Sequence, residues 1–402
     1  MSPPRTPPIL LPEAQARLLA QVPPLPAEIV PAEAALGRCL AEPLLALRTQ
    51  PAADLSAMDG YAVKAGERGP WTIVGESAAG HPFPGTLSAG EAIRISTGAL
   101  MPDGGEAVLL QENAIREGNA LVLNGEGDPD PRHIRREGFD FRNGDTLLPA
   151  GTRIGPGQLA LTLSAGNWEI PVHRLPRLAI LDSGDELATD QADLAPHRIP
   201  ASNGAMLAAM TTGLANETRR LGPVPDDLGA LARALDAAGD VDVIVTSGGA
   251  SVGDHDLVYP ALEAWGADID FWRVKMKPGK PILIARKGRQ MVLGLPGNPV
   301  SSFVTGYLFL LPLLRALAGD RDPLPRPVML PLGADVPAGG DRLEFRRARA
   351  AGGSVVSLEE QDSSALRTLA LANALIERPA EAPAARAGEL VPAYWLGNGR
   401  MA

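Results

Sequence analysis

Residues 243–256 read Val-Ile-Val-Thr-Ser-Gly-Gly-Ala-Ser-Val-Gly-Asp-His-Asp, and no other stretch limits the possible folds so tightly. Its first residues are β-branched and apolar with no polar alternation, the pattern of a strand buried inside a sheet. The run ends in Ser247-Gly248-Gly249, followed by Ser251, Gly253, Asp254 and Asp256. Small residues at a strand end let backbone N–H groups approach an anion closely. Acids a few residues on suit a divalent cation bridging that anion. A second stretch, residues 274–281, reads Val-Lys-Met-Lys-Pro-Gly-Lys-Pro. Lys277 and Lys280 flank its Pro-Gly turn, so both can point into one pocket. The two stretches together indicate a site for a phosphorylated or oxyanionic ligand with a metal.

The surrounding pattern alternates strand and helix. Residues 178–181 read as a buried strand. Ser202 is placed to cap a helix running to about residue 212, and Asp227 one over 228–238. A strand at 241–245 and a helix at 257–265 follow. Strands at 282–285 and 291–293 come next, then a helix over 300–318 with Asn298 as its cap. This alternation predicts a doubly wound, mostly parallel α/β domain over 177–320, with helices on both faces. Residues 51–145 hold short strand patterns at 71–74, 92–95 and 107–110 and a hairpin over 115–123, and read as a small all-β domain inserted N-terminally. Residues 1–50 and 146–176 form a discontinuous helical linker domain, with helices expected at 12–22 and 31–40. Gly155-Pro156-Gly157 fits a dinucleotide-binding pattern, but no strand precedes it and no acid follows at the right distance. It reads instead as a helix start. A proline-rich linker at 323–331 leads into a C-terminal β domain over 327–402.

Several function classes are excluded. Net charge is −10 and no basic tract occurs, so nucleic-acid binding is not expected. Aromatic residues make up only 4%, too few for a base-stacking surface. Cys39, the single cysteine, is expected as a buried small hydrophobe in the helix at 31–40. No internal disulfide can form, which suits a reducing compartment. No Cys/His cluster has zinc-ligand spacing. Residues 307–317 are the most apolar stretch, but they carry Pro312 and Arg315 and are too short to span a bilayer. Residues 1–21 lack signal-peptide order. A soluble cytoplasmic protein is expected, with no membrane partner.

Four segments at predicted strand ends and helix starts carry the functional groups. These are Asp182-Ser-Gly-Asp-Glu186, Pro225-Asp226-Asp227, residues 247–256, and Gly294-Leu-Pro-Gly-Asn-Pro299. One such loop is explained by turns and caps alone. Four on one edge of a doubly wound sheet, three of them with acids, form a ligand site.

Motifs across nearly the whole chain combine into a resemblance. Ser-Ala-Met-Asp-Gly-Tyr-Ala (56–62), Thr-Gly (97–98), Gln-Glu (111–112) and Ile-Arg-Arg (134–136) stand in its first half. Gly-Asp-Glu-Leu (184–187), Ser-Gly-Gly-Ala-Ser-Val-Gly (247–253), Lys-Pro-Gly-Lys-Pro (277–281) and Gly-Leu-Pro-Gly-Asn-Pro-Val-Ser (294–301) stand in its second. In this order the chain resembles the MoeA family of molybdopterin molybdenumtransferases, which includes the C-terminal domain of gephyrin. The resemblance implies an elongated homodimer of four-domain subunits. It implies insertion of molybdenum from molybdate into adenylylated molybdopterin with release of AMP, and a requirement for Mg2+. It implies a molybdopterin adenylyltransferase as upstream partner, and apo-molybdoenzymes or their chaperones as recipients.

Carried over by motif, Asp59, Thr97, Arg135 and Asp140 come from the β domain and meet the α/β domain of the other subunit. Glu186 joins Asp226 and Asp256, the latter two as metal ligands. Ser247, Gly248, Gly249 and Ser251 supply donors to the ligand. Lys277 and Lys280 neutralise oxyanion charge, and Pro296 and Pro299 shape the wall. Ser363 is the expected contribution of the last domain, although the glycines common around it are missing. Ala201 stands where the family often has an acid before Ser/Thr-Asn, and Phe139 where an acid is common. Two alternatives are an adenylyltransferase, which needs only the α/β domain, and a non-enzymatic gephyrin-like scaffold.

Overall fold

The computed structural model describes residues 7–248, 257–279 and 281–397. The chain divides into two units. One comprises Met1–Glu28, Gly37–Cys39 and Val172–Ala402, the other Ile29–Leu36 and Leu40–Pro171.

The first unit is built on a six-stranded sheet. Its strands are β1 (Arg177–Ser183), β2 (Glu217–Val224), β3 (Val243–Ser247), β4 (Asp268–Arg273), β5 (Pro281–Lys287) and β6 (Gln290–Leu295), in the order β2-β1-β3-β6-β5-β4. The first four in that order run parallel, β5 runs antiparallel to both of its neighbours, and β4 at the edge runs in the direction of the first four. The valine-rich run is β3, buried throughout. Val243 and Val245 face one layer with Val300, Phe303 and Phe309, while Ile244 faces the other with Leu231, Leu235 and Leu262. The first layer is supplied by helices α1 (Leu11–Ala20), α2 (Asn203–Met210) and α5 (Pro299–Leu317), and the second by α3 (Leu228–Ala238) and α4 (Val258–Ala264). Helices cover both faces, as the alternation required, and each buried aliphatic or aromatic side chain contributes about 1.5–3 kcal/mol.

Several expectations need correction. β2 left no apolar signature. Its Glu-Thr-Arg-Arg start suits a sheet edge, where one side of the strand meets water. Asp227 does cap α3, its Oδ1 accepting the Ala230 N–H at 2.8 Å. Ser202 and Asn298 hold the N-cap positions of α2 and α5, but neither side chain caps its helix. α5 spans 19 residues with a π-helical turn at Gly306–Leu310, so the apolar stretch is long enough to cross a bilayer. It is 83% buried inside the protein and serves as the core helix of this unit. The helix expected over 31–40 is a single 3-10 turn, Ala32–Ala35, because Gly37 turns the chain with φ +80°. Cys39 lies outside it and is buried all the same.

A second sheet in the same unit joins β7 (Val328–Pro331), β8 (Leu343–Ala351), β9 (Ser354–Ser357), β10 (Ala374–Arg378) and β11 (Leu390–Trp395) to the two-residue strand Met276–Lys277. The end of the expected linker is thus strand β7. It lies at the sheet edge, where proline is tolerated.

The other unit contains a six-stranded sheet in the order Ala107–Leu110, Gly60–Val63, Glu91–Ile95, Trp71–Ser77, Ala120–Leu123, Ala114–Glu117. Trp71, Leu109 and Leu121 form part of its core. Ala114–Glu117 and Ala120–Leu123 pair as the expected hairpin. Pro156 opens the helix Pro156–Ser164, so the glycine-proline motif is a helix start and no dinucleotide loop.

Candidate active site

The parallel strands end level with one another. Ser183 pairs with Val224, Asp182 with Ser247, and Ser247 with Leu295. The loops that leave these ends surround one cavity of about 970 Å³. Its lining includes Asp182 from the end of β1, Gly184 and Glu186 from after it, Asp226 from after β2, Ser247 and Gly248 from the end of β3, and Pro296, Asn298 and Pro299 from after β6. Gly279 and Pro281 border it beside the second lysine motif, and Ser364 and Leu366 come from the C-terminal segment.

Backbone geometry holds these loops in place. Gly248 has φ +97°, and a Cβ there would stand 2.9 Å from the Ser183 carbonyl oxygen. Only glycine fits this close approach. The loops after β1 and β2 are clasped to each other, as the Asp226 N–H donates to Asp185 Oδ1 at 3.1 Å. Asn203 Nδ2 donates to the Gly297 carbonyl at 2.7 Å, tying α2 to the loop after β6. Asn298 Nδ2 donates to Ser363 Oγ at 3.1 Å, and the Val300 N–H donates to the Ser363 carbonyl at 3.1 Å. Ser363 therefore binds the loop and the start of α5 rather than facing open space.

Other expected residues are placed differently. Lys277 does not line the cavity. Its half-exposed ammonium lies 3.6 Å from Glu344 Oε1, across the pairing of Met276–Lys277 with β8. Gly249, Ser251, Asp256 and Lys280 lie outside the described residues. Among the described residues no group of three or more His, Cys, Asp or Glu is arranged to hold a metal.

In the other unit Asp59 and Thr97 meet directly, with the Thr97 N–H donating to Asp59 Oδ1 at 2.7 Å. That backbone bond, then the Thr97 hydroxyl and the Arg94 charge, hold the Asp59 carboxyl below its ordinary range. Arg135 pairs with Leu55, on the strand shortly before Asp59, and is exposed. Asp140 is exposed on a turn whose backbone bonds Gln50.

The reading from sequence placed Asp182 in a functional loop but gave it no role. It is 5% exposed, lines the cavity, and accepts the Gly204 N–H at 3.1 Å through Oδ2. Burial pushes its carboxyl up, against the opposing pull of Arg220 and of the Gly204 N–H. An acid closing a strand of buried apolar residues was the available signal.

Known proteins match this chain in order along its length. Residues 9–166 match the MoeA N-terminal region (domain I and II), 179–316 a probable molybdopterin binding domain, and 329–396 the MoeA C-terminal region (domain IV). A molybdopterin molybdenumtransferase of Haemophilus influenzae is 34% identical over 318 residues, 78% of each chain. Molybdopterin molybdenumtransferase 2 of Mycobacterium tuberculosis is 33% identical over 375 residues, 89% of this chain and 92% of that one. The crystal structure of the molybdopterin biosynthesis moeA protein from Pyrococcus horikoshii superposes with a TM-score of 0.83 at 26% identity, covering 96% of this chain and 100% of that one. With its loops, its sheet order and these relatives in agreement, the chain belongs to the MoeA family of molybdopterin molybdenumtransferases.

Proposed function

We propose that this protein is a transferase of molybdenum cofactor biosynthesis, which inserts molybdenum from molybdate into adenylylated molybdopterin and releases AMP. The observation that carries this reading is the set of four strand-end loops lining one cavity of about 970 Å³. That space suits a ligand with several anionic groups, and the family relatives bear the name of this reaction.

The chain's own part is positioning and charge compensation. Gly248 offers close backbone approach to an anionic group. The wall formed by Pro296 and Pro299 is stiff, which limits the reorganisation needed on binding. Lys277 is poised near the turn that borders the cavity. In the proposal it leaves Glu344 for the oxyanion when the ligand arrives. Mg2+ fits this site in one respect: magnesium commonly takes one or two carboxylates and completes its shell with substrate phosphates and water. Asp226, exposed at the cavity, would be such a ligand, with Asp256 as the second. When bound, the ion would polarise phosphoryl oxygens. Cytoplasmic location, a homodimeric state, an upstream molybdopterin adenylyltransferase and apo-molybdoenzymes as recipients complete the proposal.

The test is incubation with adenylylated molybdopterin, molybdate and Mg2+, following AMP release and reconstitution of an apo-molybdoenzyme. Molybdate-dependent AMP release is the expected result. Formation of adenylylated molybdopterin from molybdopterin and Mg-ATP would instead make the protein an adenylyltransferase. Asp226→Asn is expected to shift the Mg2+ midpoint for AMP release upward, and an unchanged midpoint would leave Asp226 as a loop residue only.

A further inference from the structure

Asp182 carries a cost that the described residues offset only in part. A buried carboxylate is expensive unless donors or a cation compensate it. Here one oxygen, Oδ2, has the Gly204 N–H at 3.1 Å. No ion pair within 4.0 Å involves this carboxylate among the described residues, although Arg220 pulls on it from β2. A carboxylate offers about four lone-pair sites and no donor, and the one bond to Gly204 leaves most of that capacity unused. The side chain shares a sheet face with Ser247, its register partner on β3, whose buried Oγ also has no partner among the described residues. The carboxylate borders the cavity.

We propose that Asp182 recognises the pterin of the substrate by accepting from the adjacent ring N–H and exocyclic amine of its 2-amino-4-oxo edge. This rests on the reading that the cavity takes adenylylated molybdopterin. The chemistry selects among the parts of that ligand. Phosphates are anionic and are repelled by a carboxylate. The adenine edge presents a donor beside an acceptor, and the acceptor would face a carboxylate oxygen unfavourably. Of the two ring systems only the pterin edge presents two N–H donors side by side, which an acceptor-only group matches, whereas the ribose diol of the adenylyl group offers hydroxyls that also accept and is distinguished by AMP binding in the test below. Buried groups built to bond such an edge discriminate strongly against analogues that lack a donor. Asp182 is thus assigned to specificity, with no proton transfer or bond cleavage.

Asp182→Asn is the test, because it keeps the shape and can still accept the Gly204 N–H, yet turns one acceptor into a donor. Binding of a 2-amino-4-oxopteridine, its 2,4-dioxo analogue and AMP is measured by fluorescence and calorimetry on the full chain. The wild type is expected to prefer the 2-amino compound by about tenfold or more. The variant is expected to lose that preference, keep its affinity for AMP, and unfold at the same or a higher temperature, since a buried charge has been removed. Asp182→Ser serves as a second variant with the same expectation. Persistence of the preference in either variant overturns the assignment. So does an equal loss of pterin and AMP binding together with a lower melting temperature, which would make Asp182 a structural group. If the wild type binds neither pterin nor AMP, the reading of the cavity itself fails and the assignment with it. If it binds AMP and shows no preference between the pteridines, only the assignment fails.

Discussion

Individual residues at the site are constrained more by what stands beside them than by their own chemistry. A Cβ at Gly204 would lie 2.1 Å from Asp182 Oδ2, so α2 can approach β1 only with glycine at that point. Gly204→Ala should therefore lower stability, and the loss should shrink when Asp182 is also changed to Ala. A double-mutant cycle read by denaturant unfolding checks this, with a coupling energy of about 0.5–3 kcal/mol expected. Additive effects would mean that the helix shifts freely and that the contact is unimportant.

At the level of elements, the N-terminal ends of the parallel strands are tied by one acid. Asp242 accepts from both Arg174 guanidinium nitrogens, at 2.8 Å and 2.7 Å, and from the Arg177 N–H at 2.8 Å. Burial raises its pKa, but the Arg174 bond, the Arg177 N–H and the two arginine charges outweigh it, so the carboxyl sits below its ordinary range. A depressed folded-state pKa gives stability that is present above the unfolded value, about 3.9, and is lost as pH falls through the folded value. Asp242→Asn should thus destabilise the protein at neutral pH by about 1.5–3 kcal/mol. It should also flatten the stability profile below about pH 4. Urea titrations across that window are the measurement. Phe309, fully buried in the π-helical turn of α5, tests the core helix in the same way. Its replacement by Ala is expected to cost about 3–5 kcal/mol, and a much smaller loss would show that the layer over β3 can collapse around the gap.

For the whole molecule, the smaller unit exposes large apolar side chains that a lone monomer would leave in water. Ile29 is 73% exposed, Leu47 61% and Trp168 73%. The Leu47 N–H bonds the Ala165 carbonyl and the Ala32 N–H bonds the Trp168 carbonyl, which keeps these segments close together. In the proposed homodimer this surface is expected to be covered by the second copy. Light scattering should give twice the 42.0 kDa chain mass. Leu47→Asp with Trp168→Asp should halve it, and a monomeric wild type would remove the dimer from the proposal. Co-expression of Asp59→Asn and Glu186→Gln chains then asks whether these groups act from one copy or two. Recovery of up to about half the activity in purified mixed dimers is expected if two copies contribute. No recovery would place both groups in one subunit.

Local patterns in the sequence determined much of this protein. The unbroken β-branched run of β3, the Asp227 cap of α3 and the glycine-rich loop starts announce a helix-covered sheet with a cavity at the strand ends. The motif order also carries the family. These features were legible because periodicity, capping and turn chemistry act over a few residues. Other features came only with the tertiary structure. β2 was invisible because an edge strand needs no apolar alternation. β4 was not read at all, and β5 was not distinguished from a parallel strand, since strand direction leaves no local mark. Lys277 facing Glu344, Ser363 holding Asn298 and Asp182 buried against Gly204 each depend on a partner far away in the chain. Burial, and with it the cost of a charge or the value of a hydrogen bond, is decided by what packs around a residue, and that is known only once the chain has folded.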